Sequence, residues 1–383
     1  MNNMWRLDAE GSKLLAVVDR IARETIEPLA AMIDREGRFP RENVEALRQA
    51  GLLGLLSSKA VGGYGQGLRA AVAGAERIAR ECPSTAMITI MHNCATAVVE
   101  KFGSEEMRRS IAASGKLGTL AFSESGSRSH FWLPVSTAVK SSAGVRLNAA
   151  KQLITSAGNC DIYVWSSQPA AAEGLSTIWA VPADAAGLTI GEPFDGLGLR
   201  GNSSAPITAK DVVIPESNRL GEDGKGFDVM MGVVLPYFNL QNCAVSLGLM
   251  EGAFSRAVQH VTTSQYTYDG SRIADLPQVR GHIAKIRVKI DMVRGFLLDA
   301  LDAIEQGRED AMLRVLESKV AGSETALEVT DLAMRVCGGA AFRKDVGVER
   351  FFRDSRAAAV MAPVSDALYD FIGKASCGMP LFG

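Results

Sequence analysis

One apolar stripe in the last third of the chain limits the possible folds more than any other feature. It recurs every three or four positions and comprises Val279, Ile283, Ile286, Ile290, Val293, Leu297, Leu301 and Ile304. This spacing predicts a long amphipathic helix, and Asp275 and Pro277 precede it as start signals. A second helix is predicted over residues 309–336, ending at Gly338-Gly339. Long helices with apolar faces favour a bundle.

Periodicity divides the chain into three segments. Helical spacing of apolar residues extends from position 9 to about 113 and returns after 227. Between them, short β-rich runs are separated by Gly, Pro, Asn and Asp, at residues 119–123, 145–155, 161–167, 177–182 and 207–214. This pattern predicts a small antiparallel barrel or sandwich. We therefore predict a mostly α, α+β fold with an N-terminal all-α domain (1–118), a central β-domain (119–222) and a C-terminal four-helix bundle (223–383).

Composition argues against several classes of protein. A length of 383 residues predicts more than one packing unit. The net charge of -2 and the lack of a basic stripe argue against a nucleic-acid partner. Four histidines, none at metal-ligand spacing, argue against a metal site. Six scattered cysteines, the lack of a secretory signal and the lack of 18 consecutive apolar residues predict a cytoplasmic protein without a membrane span.

Several motifs occur in the same order as in one known family. Residues 120–129 read Leu-Ala-Phe-Ser-Glu-Ser-Gly-Ser-Arg-Ser, and residues 151–156 read Lys-Gln-Leu-Ile-Thr-Ser. Residues 335–339 read Arg-Val-Cys-Gly-Gly, and residues 348–354 read Val-Glu-Arg-Phe-Phe-Arg-Asp. These segments resemble the Thr-Glu-Pro-x-x-Gly-Ser, Lys-x-Trp-Ile-Thr-Asn, Gln-x-x-Gly-Gly and Val-Glu-Arg-x-x-Arg-Asp motifs of the acyl-CoA dehydrogenase family. Each motif is weak alone, but together they span nearly the whole chain.

The resemblance implies an FAD cofactor. A flavin ring is flat and hydrogen-bonds along one edge, so its site needs an apolar wall and short donors. The positions of Phe122, Ser123 and Thr155 contact the ring in the family, and Leu153 replaces a tryptophan that commonly covers it. Outside this family pattern, Ser123 and Thr155 would be interpreted as ordinary strand hydroxyls.

The resemblance also implies contacts to the rest of FAD. The family's pyrophosphate-binding arginine is missing from its usual place in residues 264–272, and either Arg272 or Arg335 is expected to replace its charge. Gly338 and Gly339 are expected to lie close to the adenosine end. The alternatives are two solvated arginines and a simple helix stop. Because the family shares FAD across subunits, a homodimer or homotetramer is expected.

Three positions are candidates for substrate contact by the same resemblance. Ser129 matches a serine that touches the CoA pyrophosphate, and His130 replaces the aspartate that usually follows it. Asn239 replaces a substrate-contacting arginine. An ordinary loop histidine is the alternative for His130.

The family's catalytic glutamate is missing. Its usual position holds Ala362, and the second position that some members use falls at Phe238 and Asn239. A positioned general base contributes roughly 10²–10⁴-fold to a rate, so its loss is serious. Substitutes are His92, which is alternatively a core histidine, and Asp366, which is alternatively a helix N-terminal carboxylate.

Several functions therefore remain open. The first is an acyl-CoA dehydrogenase-like oxidoreductase with a displaced or absent base, acting on an acyl-CoA or related small substrate and passing electrons to an electron-transfer flavoprotein. The second is a two-component flavin-dependent monooxygenase of the same fold, which needs a flavin reductase and no α-proton base. The third is redox-neutral elimination from an acyl-CoA. The last is a flavin-binding scaffold without catalysis.

Overall fold

The first part of the fold is a layer of helices. The computed structural model describes residues 3–381. Its first helices are α1 (Ala9–Ile21), α2 (Glu27–Glu36), α3 (Arg41–Gln49), α4 (Leu68–Ala79), α5 (Pro83–Phe102) and α6 (Glu105–Ala112). A π-helical turn joins α1 to α2, and the Asp8 side chain caps α1 by accepting from Gly11 N at 2.6 Å. Helix α5 is buried along nearly its whole length, so it lies at the centre of this layer.

The central part consists of two small sheets. Its strands are β1 (Gly118–Ala121), β2 (Thr137–Ser141), β3 (Gly144–Ile154), β4 (Ile162–Ser167), β5 (Thr177–Pro182), β6 (Leu188–Ile190) and β7 (Ala205–Ile214). One sheet has the order β1-β4-β5 and the other β2-β3-β7-β6. The pairs are antiparallel as predicted, except that β1 and β4 run parallel, with Gly118 opposite Ile162. The sequence interpretation missed β2, which is mostly exposed, and β6, which is three residues long.

An irregularity in β3 changes which way one side chain faces. Lys151 pairs with Ile207 and Ile154 pairs with Ala205, so Gln152 and Leu153 together oppose the single residue Pro206. Proline has no N–H to donate to the ladder, and an extra residue on the opposing strand makes a β-bulge. Leu153 has φ 55° and is 61% exposed. The bulge therefore turns an apolar side chain out of the sheet.

The last part is a set of long helices. They are α7 (Gly226–Val229), α8 (Leu235–Thr263), α9 (Pro277–Gln306), α10 (Ala311–Cys337), α11 (Val348–Val360) and α12 (Ser365–Ser376). The two long helices predicted from the sequence are confirmed as α9 and α10. Helix α8 packs against α9, α10 and α11 and also against α4 and α5. It therefore connects the C-terminal bundle with the N-terminal helices.

The longest apolar helix is a core helix. The continuous helical segment Gly226–Thr263 is long and apolar enough to cross a membrane by length and composition alone, but 94% of its most apolar window is buried inside the protein. All six cysteines are free thiols, five of them buried and Cys377 exposed. No cluster of metal-ligating side chains occurs among residues 3–381.

Candidate functional site

A cavity of about 640 Å³ lies where the three parts of the fold meet. One side is formed by β1, the loop after it and the bulged end of β3. The other side is formed by α5, the start of α8 and the segment that connects α11 to α12. Cavities of this size and mixed lining commonly hold a cofactor or a small substrate.

The β-side wall brings together all four residues that the sequence predicts to contact a flavin ring. Phe122, Ser123, Leu153 and Thr155 line the cavity. The Ser123 carbonyl accepts from Gln152 N at 2.9 Å, and the Thr155 carbonyl accepts from the Thr119 hydroxyl at 2.9 Å. These contacts fix the backbone on either side of the bulge. The wall offers apolar surface and short hydroxyl donors next to each other, which is what a flavin ring requires.

The opposite wall presents no carboxylate. Residues 361–364, here called the wall loop, read Met-Ala-Pro-Val, and all four line the cavity together with Ala357 and Val360. Met87, Met91 and Phe238 complete an apolar end. Ala362 therefore lines the cavity at the position where the family resemblance places a glutamate.

The one carboxylate in the cavity lining described by the structure is already paired. Glu124 is 3% exposed and accepts from Lys151 Nζ at 2.5 Å and from Val135 N at 2.6 Å. Lys151 is fully buried, donates to the Ser166 carbonyl at 2.7 Å and lies 5.1 Å from the centre of the Trp165 ring. Burial lowers the pKa of the Lys151 amine to about 8, against the opposing effect of the Glu124 carboxylate. Glu124 is thus a structural partner and is not available as a free base.

A cation lies at the polar end of the cavity. Arg128, Ser125 and Ser129 line it side by side. Arg128 has φ 49°, a backbone conformation that costs energy for any residue other than glycine. Its side chain is exposed and forms no ion pair with the residues in the range 3–381. His130 is exposed and lies outside the cavity lining, with its ring centre 5.1 Å from that of Trp132 and the two ring planes tilted by 57°.

His92 lies in the core instead of the cavity. It is fully buried, its Nε2 donates to the Leu53 carbonyl at 2.7 Å, and its Nδ1 accepts from Gly118 N at 3.0 Å. Burial lowers the pKa of the imidazole to about 4. Both ring nitrogens are satisfied by backbone, so the structure favours the core-histidine interpretation over a catalytic base.

The buried position of His92 predicts how the free energy of unfolding changes at acid pH. The unfolded chain protonates His92 near pH 6.5 and the folded chain only near pH 4, so the unfolded state binds more protons between these values. Lowering the pH from 6.5 to 4 should therefore destabilise the wild type relative to His92→Gln, by up to about 1.4 kcal/mol per pH unit. Urea unfolding of both proteins across this range measures the difference. Parallel stability curves would contradict the assignment.

Two other predicted site residues also lie outside the cavity lining. Asp366 is exposed in the first turn of α12, the position of a helix N-terminal carboxylate. Asn239 is fully buried, and its Nδ2 donates to the Val315 carbonyl of α10 at 3.3 Å. Because successive helical residues face different directions, Phe238 faces the cavity and Asn239 faces α10. Neither residue is positioned to contact a ligand in the cavity.

The residues predicted for the far end of FAD are separate from the cavity. Arg272 and Arg335 are both exposed, the latter in the last turn of α10. Gly338 has φ 56°, and a Cβ built on either Gly338 or Gly339 meets no atom within 4 Å. There is open space beside both glycines. Their contact with FAD, and that of the two arginines, stays a prediction.

Some residues of the site were not singled out from the sequence. The lining residues Met87 and Met91 belong to no motif, and Gln152 stands at the variable position of the 151–156 motif, so their place in the lining depends on packing. Arg128 had a usable signal, because it stands where the family motif has glycine. The Glu124–Lys151 pair lies within two recognised motifs, but the sequence does not show that they meet.

Comparison with known sequences identifies all three parts of the chain. Family models described as the N-terminal, middle and C-terminal domains of acyl-CoA dehydrogenase match residues 8–114, 119–212 and 224–376. The acryloyl-CoA reductase (NADH) of Anaerotignum propionicum is 28% identical over 369 residues, covering 92% of each chain. The short-chain-specific acyl-CoA dehydrogenase of Clostridium acetobutylicum is 26% identical over 360 residues, covering 92% of this chain and 94% of that one.

Comparison with solved structures identifies the fold. The structure of butyryl-CoA dehydrogenase from Megasphaera elsdenii superimposes with a TM-score of 0.90, covering 97% of this chain and 99% of that chain at 21% sequence identity. At this identity the match shows the arrangement of helices and strands and does not extend to substrate. The predicted order of a helical part, a small β part and a second helical part is confirmed.

Proposed function

The chain belongs to the acyl-CoA dehydrogenase family of FAD-dependent oxidoreductases, and we propose that it oxidises or reduces a thioester-like substrate without a carboxylate base in its cavity. The observation that carries this proposal is the composition of the two walls. Ser123 and Thr155 suit a flavin edge on one side, and Ala362 occupies the other side. The one carboxylate between them among the described residues, Glu124, is held by Lys151.

Each wall has a distinct task in this proposal. FAD, when bound, supplies the acceptor for two electrons. Ser123 and Thr155 hydrogen-bond its ring edge, and Leu153 covers part of its face in place of a larger aromatic residue. Met87, Met91 and Phe238 exclude water from the space where the substrate lies. Exclusion of water strengthens the polar contacts that remain.

The missing base defines the kind of substrate. The α-proton of an ordinary thioester is weakly acidic, and removing it normally needs a positioned base. Without one at position 362, the substrate must carry an α-proton that its own substituents acidify, or it must react without losing that proton. We therefore propose an acyl thioester with an activating substituent, with an electron-transfer flavoprotein as the redox partner and a homo-oligomer in the cytoplasm as the working form.

The absence of a free carboxylate in the described cavity lining also favours a second function. A flavin-dependent monooxygenase receives reduced flavin from a separate reductase and reacts with O₂, so it needs no α-proton base. Ser123, Gln152 and Thr155 would then provide hydrogen bonds within the cavity. Redox-neutral elimination from an acyl-CoA is the weaker candidate, because it removes a proton as the first function does but makes no net use of the flavin's electrons.

One set of assays separates these functions. The FAD-loaded protein is mixed anaerobically with a panel of saturated, β-substituted and unsaturated acyl-CoAs while the flavin absorbance is followed. Bleaching by activated thioesters supports the proposal. Transfer of an oxygen atom from O₂ to an added substrate with pre-reduced flavin, in the absence of any bleaching, would replace it with the monooxygenase. Neither response, with FAD bound, would indicate a scaffold.

Arg128 is expected to contribute to substrate binding. Its guanidinium, which has no ion-pair partner among residues 3–381, lies beside Ser125 and Ser129 and is suited to a phosphate group of the substrate. Arg128→Gly removes the charge and relieves the backbone strain at φ 49°, so the loop should stay folded. KM for a CoA thioester should rise about tenfold or more, while KM for the matching N-acetylcysteamine thioester, which lacks phosphate, should not change. An equal change for both thioesters would contradict a phosphate contact.

A further inference from the structure

A buried lysine lies directly behind the wall loop. Lys319, in α10, is fully buried. Its Nζ donates to the carbonyl oxygens of Ala358 at 2.8 Å, Met361 at 3.1 Å and Pro363 at 2.8 Å. Met361 and Pro363 line the cavity and Lys319 does not. The lysine therefore contacts the wall from the side opposite the cavity.

The three contacts match the hydrogen-bonding capacity of a charged lysine. An ammonium group has three N–H donors and no acceptor, and each donor here meets one carbonyl. No carboxylate among residues 3–381 lies within ion-pair distance of Lys319. The carbonyls at the end of a helix lack partners within the helix, and Ala358 belongs to the last turn of α11. Lys319 thus caps the C-terminal end of α11 with one hydrogen bond and holds the wall loop with the other two.

The position of this cap affects the chemistry of the wall. Met361 and Pro363 flank Ala362 on either side, and the carbonyl oxygens of both are engaged by Lys319. Lys319 therefore satisfies two of the loop's carbonyl oxygens away from the cavity, and the Val364 carbonyl accepts from Leu368 N at 3.1 Å. Two of the three carbonyls lie in the wall loop itself, so Lys319 holds the 361–362 and 363–364 peptide units before and after position 362.

Other polar contacts from α10 do not reach the wall loop. The Thr330 hydroxyl lies 3.0 Å from the Ser355 hydroxyl of α11. The Ser323 hydroxyl lies 3.3 Å from the Ser365 hydroxyl at the start of α12. These contacts join the helices, but neither touches residues 361–364. Thr330→Val is therefore a matched control, since it removes a buried α10–α11 hydrogen bond and leaves the wall loop untouched.

We propose that Lys319 is a positioning residue that holds the wall loop, and with it position 362, at a fixed place opposite the flavin-binding wall. The inference rests on the proposed function only in that the cavity is the reaction site. Its structural part, the fastening of residues 361–364, is independent of which reaction takes place.

Amide hydrogen exchange tests the structural part directly. In Lys319→Met, protection should be lost over residues 357–366 and retained in α10. Thr330→Val should leave protection of the wall loop unchanged. Lys319→Gln, which keeps two donors, provides a second variant if Lys319→Met does not fold, and should show an intermediate loss. Unchanged protection of residues 357–366 in a folded Lys319 variant would overturn the proposal.

A kinetic measurement tests the positioning role. With Ala362→Glu as background and butyryl-CoA as the probe, adding Lys319→Met should slow anaerobic flavin reduction by up to about 10²-fold at saturating substrate, while KM changes little. Adding Thr330→Val should not slow it. Equal rates for the two double variants, at equal flavin content, would overturn the positioning role. If Ala362→Glu itself gave no flavin reduction, the proposed function would fail. Hydrogen exchange would still show whether Lys319 holds the wall loop in place.

Discussion

Ala362→Glu is expected to accelerate anaerobic reduction of the bound flavin by a saturated straight-chain acyl-CoA by roughly 10²–10⁴-fold. The change places a carboxylate on the wall loop, across the cavity from Ser123 and Thr155. Its surroundings, Met361, Val364 and Phe238, are apolar. Desolvation there raises the pKa of a carboxyl group, which brings it closer to the pH at which a general base is effective.

The matched control for this variant is Ala362→Gln. Glutamine has nearly the same size and the same hydrogen-bonding reach, but it does not accept a proton from carbon. Stopped-flow absorbance at the flavin band gives the rate for all three proteins under identical conditions. Similar rates of flavin reduction for Ala362→Glu and Ala362→Gln would contradict the idea that the wild type is slow because it lacks a base.

Lys151→Met is expected to lower the free energy of unfolding by about 3–5 kcal/mol. The substitution leaves the Glu124 carboxylate, which is 3% exposed, without its cation. The lost contacts include the hydrogen bond to the Ser166 carbonyl at 2.7 Å. A charge that stays buried without a partner costs far more than the attraction between two exposed ions. Urea unfolding of the FAD-free proteins measures the change.

Two further variants show whether the pairing is the cause. Adding Glu124→Gln to Lys151→Met removes the uncompensated charge and should recover part of the stability, so the two effects should not add. Arg109→Ala breaks the exposed pair with Glu105, whose 2.7 Å separation is similar, and should cost about 0–1 kcal/mol. A loss for Lys151→Met no larger than that for Arg109→Ala would show that the buried pair contributes little.

The long elements of the fold could be predicted because their signals are local. The apolar stripe of α9 and its Pro277 start need no information from the rest of the chain, and α9 begins at that residue. The parallel pairing of β1 with β4 was not predicted. Strand periodicity gives the exposure of each side chain but does not say which strand lies beside it. In this fold β2 and β3, which lie between β1 and β4 in sequence, belong to the other sheet.

The residues of the β-side wall could be singled out because they belong to short local motifs. Much of the rest of the site depends on contacts between residues that are distant in sequence. Ser123 and Thr155 belong to short motifs, and the structure brings them to one cavity. The roles of His92 and Asn239 depend on the direction in which a helical side chain faces, and both face packed neighbours. Lys319 meets carbonyls 39 to 44 residues away in sequence. A single lysine within α10 gives no local sign of such contacts.

The most direct test of the central claim is the anaerobic absorbance of the FAD-loaded wild type on mixing with butyryl-CoA. We expect the protein to bind FAD and its flavin band to shift as the thioester enters the cavity. The band should then bleach at least about 10²-fold more slowly than in Ala362→Glu. Rapid bleaching of the wild type by this unactivated thioester would contradict the claim. So would a purified protein that is colourless and does not take up added FAD.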